Sequence, residues 1–312
     1  MRFHRALATA SRRSLLLAAA SLPACAAEGR GGRSAPAAGP GAAVPAAAPQ
    51  GGSGSRYFRT TDGVRLHYLE AGRGQPLVIV PGWSMPAWIF EPQLRGLSSR
   101  YRVIVLDPRG QGESEIAPGG YHHVRRGQDI GDLLDHLRLG QAVVMGWSLG
   151  VLDTLAYVHE AGDSRIAGLI LVDNSIGEDP PPTAAGPRIP GPRLERAEAM
   201  RRFVRTMFST PQPQSYLNRL TEEALRLPPD ASRALLSYPV PRTYWREAVY
   251  STNKPVLYAV RPRFEGQAAN LQRRHPNAET VIFRDAGHAL FVDEPERFNG
   301  LVADFIRRRI PT

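Results

Sequence analysis

The pentapeptide Gly-Trp-Ser-Leu-Gly at residues 146–150 constrains this chain more than any other stretch, because it directly follows the apolar run at residues 142–145. The run predicts a buried strand, and the glycines predict a turn too tight for side chains on either side. A strand that turns sharply into a helix exposes the residue at the turn, here Ser148, at the carboxyl end of a sheet. The first N–H groups of that helix favour negative charge beside it. We therefore predict that Ser148 is a nucleophile, although such a pentapeptide also occurs by chance.

Short apolar segments alternate with amphipathic ones along the rest of the chain. After a hairpin signature at residues 57–69, strands are predicted near residues 77–80, 102–106, 142–146, 168–172, 256–260 and 280–283. Helices are predicted near residues 125–138, 149–161, 266–274 and 295–309. This alternation predicts the α/β class, with a mostly parallel, twisted sheet covered by helices on both faces. Ligands bind such sheets at the carboxyl ends of the strands.

Three further motifs occur in register with the serine turn. Pro81-Gly82-Trp83 ends a predicted strand, the sequence Asp-Pro-Arg-Gly-Gln-Gly-Glu-Ser occupies residues 107–114, and Gly287-His288 follows the last predicted strand. Together with the serine turn, these motifs resemble the α/β-hydrolase family over residues 56–312. The chain order, with the nucleophile first and the histidine last, is also the order of that family. The resemblance implies a helical cap inserted at about residues 174–250, where prolines and helical patterns near 193–208 and 215–226 interrupt the alternation.

The resemblance also implies roles for individual residues. Ser148 would attack the substrate, and His288 would take its proton and later activate water. The backbone N–H groups of Leu149 and Trp83 would form the oxyanion hole. Many family members have His-Gly where this chain has Pro-Gly at residues 81–82, but the donor is a backbone group, so we expect the hole to be retained.

The acid of the triad is where the sequence departs from the family pattern. Family members usually carry an Asp a few residues after the strand at 256–260, and residues 260–265 contain none. Asp173, at the end of the preceding strand, is the favoured candidate, because some haloalkane dehalogenases carry their acid at this place. Glu265 is the alternative, although its position suggests that it only begins a helix.

Aromatic residues provide the candidates for a substrate pocket. Trp147, Tyr244 and Trp245 are expected to line it, with the alternative that the aromatic residues of the inserted segment only join it to the sheet.

These residues predict a serine hydrolase that cleaves a carboxylic ester or related acyl bond through an acyl-enzyme, with no cofactor and no metal. Perhydrolase or haloperoxidase-like activity on the same serine machinery is one alternative. A non-catalytic, ligand-binding member of the fold is another. Dehalogenation is disfavoured, because that chemistry uses a carboxylate nucleophile where this chain has Ser148.

The N-terminal residues predict export. Arg12-Arg13 before the apolar run that ends near Leu22 resembles a Tat signal over residues 1–25. Cys25, the one cysteine of the chain, lies in a sequence that resembles a lipoprotein cleavage box, and ordinary signal-peptidase cleavage is the rival. Residues 26–55, rich in Ala, Gly and Pro, are expected to form a disordered tether. The expected location is the periplasm or, through a lipid on Cys25, the bacterial cell envelope.

The formal net charge of the chain is +10, of which residues 56–312 carry +5. The arginine clusters at residues 125–126, 201–202 and 307–309 fall in predicted helices without interleaved aromatic residues, which favours solvated helix faces over a nucleic-acid site. The expected partner is a small ester or acyl substrate; the sequence does not predict an oligomeric state.

Overall fold

The computed structural model describes residues 54–182 and 194–311, and an eight-stranded sheet forms its centre. The strands are β1 (Gly54–Arg59), β2 (Arg65–Ala71), β3 (Pro76–Val80), β4 (Arg102–Asp107), β5 (Ala142–Trp147), β6 (Ile166–Val172), β7 (Val256–Val260) and β8 (Ala278–Ile282). Their order across the sheet is β1-β2-β4-β3-β5-β6-β7-β8. The β1–β2 and β2–β4 pairs are antiparallel, and strands β3 to β8 run parallel to one another. The predicted mostly parallel sheet is therefore confirmed.

Ten α-helices accompany this sheet in the described part of the chain. They are α1 (Glu91–Leu97), α2 (His123–His136), α3 (Leu149–Ala161), α4 (Arg196–Thr206), α5 (Gln214–Arg226), α6 (Pro229–Ala234), α7 (Arg242–Tyr250), α8 (Glu265–Arg274), α9 (Leu290–Asp293) and α10 (Pro295–Arg309). The helices cover both faces of the sheet, as predicted.

Strand β5 shows how the two faces are filled. All six of its residues are buried, which explains why it reads as a continuous apolar run rather than an alternating one. Val144 packs in the apolar cluster with residues of α2, α3, α7 and α8, whereas Val143 packs in the cluster with residues of α1 and α10. Consecutive side chains of a strand point to opposite faces, so the serine that follows β5 is carried by the most enclosed part of the sheet.

Helices α4 to α7 belong to one insertion segment, which we define as the residues between β6 and β7. Two of its helices were predicted, and α4 and α5 reproduce them within a few residues. Helix α4 packs against α5, and α7 packs against α3. The insertion segment therefore has contacts with the body of the domain as well as within itself.

One surface prediction is wrong. Arg126 was expected on a solvated helix face, but its side chain is 1% exposed and its Nη2 lies 2.8 Å from Oδ2 of the buried Asp153 of α3. The reason is that α3 covers this side of α2. The pairing supplies the opposite charge that a buried guanidinium needs.

The predicted export signal, Cys25 and all but the last two residues of the predicted tether lie outside the described residues, so these stay predictions. Within residues 54–182 and 194–311, no helix has both the length and the apolar character needed to cross a membrane.

Candidate active site

Ser148 sits between the end of β5 and the start of α3. Its backbone has φ 54° and ψ −122°, in a region that side chains rarely adopt. A Cβ on Gly146 would overlap the carbonyl of Gly150, and a Cβ on Gly150 would overlap the carbonyl of Val80. Both glycines are therefore required by close backbone approach. The Ser148 N–H donates to the carbonyl of Val172 on β6, 2.9 Å away, which ties the turn to the neighbouring strand.

His288 lies in the loop between β8 and α9, and its side chain reaches the serine. Its Nε2 is 2.8 Å from Oγ of Ser148. The loop is held on both sides of the ring, because the Gly287 N–H donates to Asp293 at 2.7 Å and the Trp147 indole donates to the His288 carbonyl at 2.8 Å. The imidazole is therefore fixed within hydrogen-bond reach of the serine oxygen.

The structure brings Asp173, and not Glu265, to this histidine. Oδ2 of Asp173 is 2.6 Å from Nδ1 of His288. Asp173 directly follows β6, next to the strand that carries the serine, and its N–H donates to the Ala259 carbonyl of β7. Glu265 instead begins α8, is exposed and accepts a hydrogen bond from Arg284. The β6 position therefore supplies the acid that faces His288.

Charge and hydrogen bonding define the protonation of this triad. Burial raises the pKa of Asp173, but the hydrogen bond from His288 and the nearby charges outweigh it, so the pKa lies below its usual value. The carboxylate is then only an acceptor, so Nδ1 of His288 must carry a proton. Nε2 is left to accept from the Ser148 hydroxyl. This arrangement orients the serine proton toward a base.

Arg261, the first residue after β7, also contacts the acid. Its backbone N–H donates to Oδ1 of Asp173 at 3.0 Å, and its Nε donates to Oδ2 at 2.7 Å. The sequence showed only that an Asp is missing after β7. In the structure, Arg261 lies at that place and its side chain contacts Asp173.

The loop after β3 places backbone groups beside the serine. A Cβ on Gly82 would lie 2.9 Å from Cβ of Ser148, so the Gly82 backbone directly faces the nucleophile. Trp83 follows it, and Leu149 is the first residue of α3, where an N–H has no intrahelical acceptor. These are the positions expected for the two oxyanion donors.

The side chain of Gln111 forms hydrogen bonds with the loop that follows β3. Its buried amide donates to the carbonyls of Gly82 and Met85, and its Oε1 accepts from the Ser84 N–H at 3.1 Å and from Arg126 at 3.3 Å. Ser84 has a positive φ of 61°, which these bonds stabilise. Sequence analysis missed this residue, although it lies in the 107–114 motif.

The aromatic residues expected to line a pocket have other contacts in the structure. Trp147 is 1% exposed and packs against Phe90 and Phe291 beneath the histidine loop, so it supports that loop instead of lining an open pocket. Tyr244 donates a hydrogen bond to Glu160 in the last turn of α3. Since Glu160 is twelve residues beyond Ser148, that contact is roughly 18 Å along the helix from the serine.

Trp245 is buried beside Tyr244 and packs edge-on against His123 of α2. Both α7 aromatics therefore join the insertion segment to α2 and α3, which was the alternative that the sequence left open.

Helix α4 and the residue after it contact two loops that lie near Ser148. Its Phe203 ring packs edge-on against Trp83 at 5.2 Å between centroids, and the carbonyl of Met207, just after α4, accepts from the Ala289 N–H. These contacts join α4 and the residue after it to the loop after β3 and to the loop of His288. The sequence signal that could have identified Phe203 and Met207 is the helical spacing of the apolar residues of α4.

No group of three or more metal-ligating side chains converges anywhere in residues 54–182 and 194–311. The site is built from Ser148, His288 and Asp173 with backbone donors around them.

A model of the alpha/beta hydrolase family matches residues 77–301, which include the serine, the acid and the histidine. The chain belongs to that family. In this fold, a serine at the turn after a central strand, within reach of a histidine from a later loop, is the arrangement used for hydrolysis.

Known proteins resemble the chain at moderate identity. The AB hydrolase superfamily protein YisY of Bacillus subtilis is 26% identical over 281 residues, covering 80% of this chain and 98% of that protein. The non-heme chloroperoxidase CPO-A1 of Kitasatospora aureofaciens is 32% identical over 114 residues, which are 36% of this chain and 42% of that protein. The structure of the esterase RhEst1 from Rhodococcus sp. ECU1013 matches with a TM-score of 0.69 at 23% identity, covering 82% of this chain and 99% of that one. At this identity the likeness to RhEst1 shows the fold alone.

Proposed function

We propose that this protein is a serine hydrolase that cleaves carboxylic esters or related acyl bonds through an acyl-enzyme. The observation that carries the proposal is the continuous chain of contacts from Ser148 Oγ to His288 Nε2 at 2.8 Å and from His288 Nδ1 to Asp173 at 2.6 Å. A serine, a base and an orienting acid in hydrogen-bond reach of one another are the parts that activate a hydroxyl for attack.

The proposed reaction has two halves. Ser148 Oγ attacks the ester carbonyl carbon while His288 Nε2 takes the hydroxyl proton, and the tetrahedral intermediate expels the alcohol, which receives that proton. A water then attacks the acyl-enzyme, again giving its proton to His288, and the carboxylic acid leaves as Ser148 regains its hydrogen. Asp173 stays ionised throughout and stabilises the imidazolium.

The oxyanion of each intermediate is assigned to the N–H groups of Trp83 and Leu149. One such donor is worth about 3 kcal/mol of transition-state stabilisation. Gln111 supports this assignment, because it fixes the backbone on both sides of Trp83 by bonding to Gly82 and Ser84.

The substrate group next to the serine is proposed to be apolar, with the insertion segment acting as the cap. Two contacts support this: the Phe203 ring of α4 packs against Trp83, and the Met207 carbonyl just after α4 accepts a hydrogen bond from Ala289 in the loop of His288. Apolar surface removed from water contributes about 25 cal/mol per Å² to binding, so longer aliphatic or aromatic acyl groups are expected to bind better than acetyl until the space is filled.

Hydrolysis of p-nitrophenyl esters from acetyl to dodecanoyl, by residues 54–312 and by Ser148→Ala, tests the proposal. We expect turnover by the parent chain alone and labelling of Ser148 by a fluorophosphonate. Labelling and turnover that survive in Ser148→Ala would overturn the assignment. A folded parent chain that neither labels nor hydrolyses any ester would favour a ligand-binding role.

Perhydrolysis is the second candidate, because a curated relative is named a non-heme chloroperoxidase. Hydrogen peroxide would replace water in the second half-reaction, so that the acyl group leaves as a peroxy acid. The ratio of peroxy acid to carboxylic acid, formed from acetate esters with peroxide added, distinguishes the two. Ser148→Ala should abolish both products if they share one acyl-enzyme.

A further inference from the structure

Arg261 touches both members of the acid–base pair. Its Nε donates to Oδ2 of Asp173, the same oxygen that accepts from His288, and its Nη2 lies 3.4 Å from Nδ1 of His288. Because Nδ1 already uses its hydrogen for Asp173, and a guanidinium can only donate, this last approach is a contact between a cation and the imidazole rather than a hydrogen bond.

The contacts of Arg261 differ from those of an ordinary surface ion pair. The Asp173 side chain is 0% exposed and that of Arg261 is 26% exposed, so the pair is shielded on one side. Two donors from one residue, the backbone N–H and Nε, hold the two carboxylate oxygens separately. This fixes the plane of the carboxylate, and with it the direction in which Oδ2 faces His288.

We propose that Arg261 is a positioning residue that orients Asp173 for His288. The inference rests on the proposed function, since it names the residue that holds the acid of the same site in place. A carboxylate held in one plane directs Oδ2 at Nδ1 of His288, and this keeps Nε2 of the same ring aimed at the serine hydroxyl.

Other charged or titratable groups lie near the pair. Arg263 follows on the same segment, is exposed and lies over the Phe264 ring. Tyr258 of β7 donates to the Asn174 carbonyl, and Asp293 accepts the Gly287 N–H below the histidine loop. Arg263 offers a matched control, because it carries the same charge two residues away without a hydrogen bond to Asp173.

The test compares kcat and KM for the parent chain, Arg261→Gln, Arg261→Lys and Arg263→Gln. Removing a hydrogen bond to a charged group should lower kcat of Arg261→Gln by roughly tenfold with little change in KM. Arg261→Lys should restore only part of kcat, since lysine keeps the charge and a donor but loses the planar donor geometry.

Arg263→Gln should resemble the parent chain, because Arg263 has no hydrogen bond to Asp173. The proposal is overturned if Arg261→Gln retains the parent kcat, or if Arg263→Gln lowers kcat as far. A rise in KM with an unchanged kcat in Arg261→Gln would also overturn it.

A readout independent of turnover separates this inference from the proposed function. The far-downfield proton NMR resonance of the His288 Nδ1–H reports its bond to Asp173. In Ser148→Ala, the additional change Arg261→Gln should move that resonance upfield or broaden it, even if no ester is ever hydrolysed. An unchanged resonance would overturn the inference while leaving the hydrolase proposal standing.

Discussion

The indole N–H of Trp147 donates to the backbone carbonyl of His288 at 2.8 Å, so the residue before the nucleophile holds the loop of the base. The two rings also lie 5.1 Å apart between centroids. Ser148 and His288 are 140 positions apart in the chain, and this contact joins the side chain next to the serine to the histidine backbone.

Trp147→Phe should therefore lower kcat without changing the folded structure. Phenylalanine keeps the packing against Phe90 and Phe291 but has no donor for the His288 carbonyl. The lost hydrogen bond is worth about 1 kcal/mol, so we expect roughly a fivefold fall in kcat with little change in KM. Steady-state kinetics measures this, and an unchanged kcat would show that the loop is held by its other contacts.

Asp173→Asn should reduce kcat by about three to four orders of magnitude, because an amide stabilises the wrong tautomer of His288 and cannot balance the imidazolium charge. Glu265→Gln is the matched control and should retain near-parent kcat, since Glu265 contacts Arg284 and not the histidine. The reverse pattern in single-turnover kinetics would transfer the acid role to Glu265.

Asp153→Leu should destabilise the protein strongly. It would leave the buried Arg126 guanidinium without its counterion and His123 without the acceptor for Nδ1. Removing one partner of a buried pair costs about 3–5 kcal/mol of unfolding free energy. The double variant Asp153→Leu/Arg126→Met should regain much of that loss, as urea unfolding would show. Equal losses in the single and double variants would contradict the ion-pair explanation.

Ser148→Gly should unfold at a higher temperature than the parent chain. Glycine adopts the φ of 54° found here without the steric cost that a side chain carries, and such strain amounts to about 1–3 kcal/mol. Ser148→Ala removes the nucleophile but keeps the Cβ, so its melting temperature should stay closer to that of the parent. If calorimetry gives the two variants the same stability, the turn stores no strain at this residue.

Acid should weaken the protein partly through Asp62. Burial raises its pKa, but hydrogen bonds from Arg109 and Thr60 outweigh this and lower it to about 2. A lowered folded-state pKa stabilises the protein above about pH 4 and loses that contribution as the pH falls toward 2. Asp62→Asn should therefore flatten the fall in unfolding free energy between pH 4 and pH 2, while Asp285→Asn, at an exposed position, should not. Identical slopes for the two variants in denaturant titrations would contradict this.

Much of the fold followed from the sequence because its signals are local. Apolar runs mark fully buried strands, and glycines around Ser148 mark a turn that only they allow. The same locality explains the position of His288 after the last strand.

Side-chain surroundings were predicted less well, because they depend on which elements pack together. Nothing near Arg126 in the chain reveals that α3 covers it, and the aromatic character of Trp147, Tyr244 and Trp245 does not tell a pocket wall from a packing contact. Arg261 was visible only as the absence of an expected Asp. Its contacts with Asp173 depend on the parallel pairing of β7 with β6, which brings the carboxyl ends of the two strands together.

The placement of the acid on β6 has an engineering consequence. Ser148 and Asp173 sit at the ends of adjacent, hydrogen-bonded strands, and both precede helices α4 to α7 in the chain. Replacing α4 to α7 with the corresponding stretch of another family member would leave the spacing of nucleophile and acid untouched. In the proposed hydrolase, the groups of the reaction and the helices of the cap would thus lie in separable parts of the polypeptide. A graft would have to preserve the hydrogen bond from Ala289, in the loop of His288, to the Met207 carbonyl just after α4.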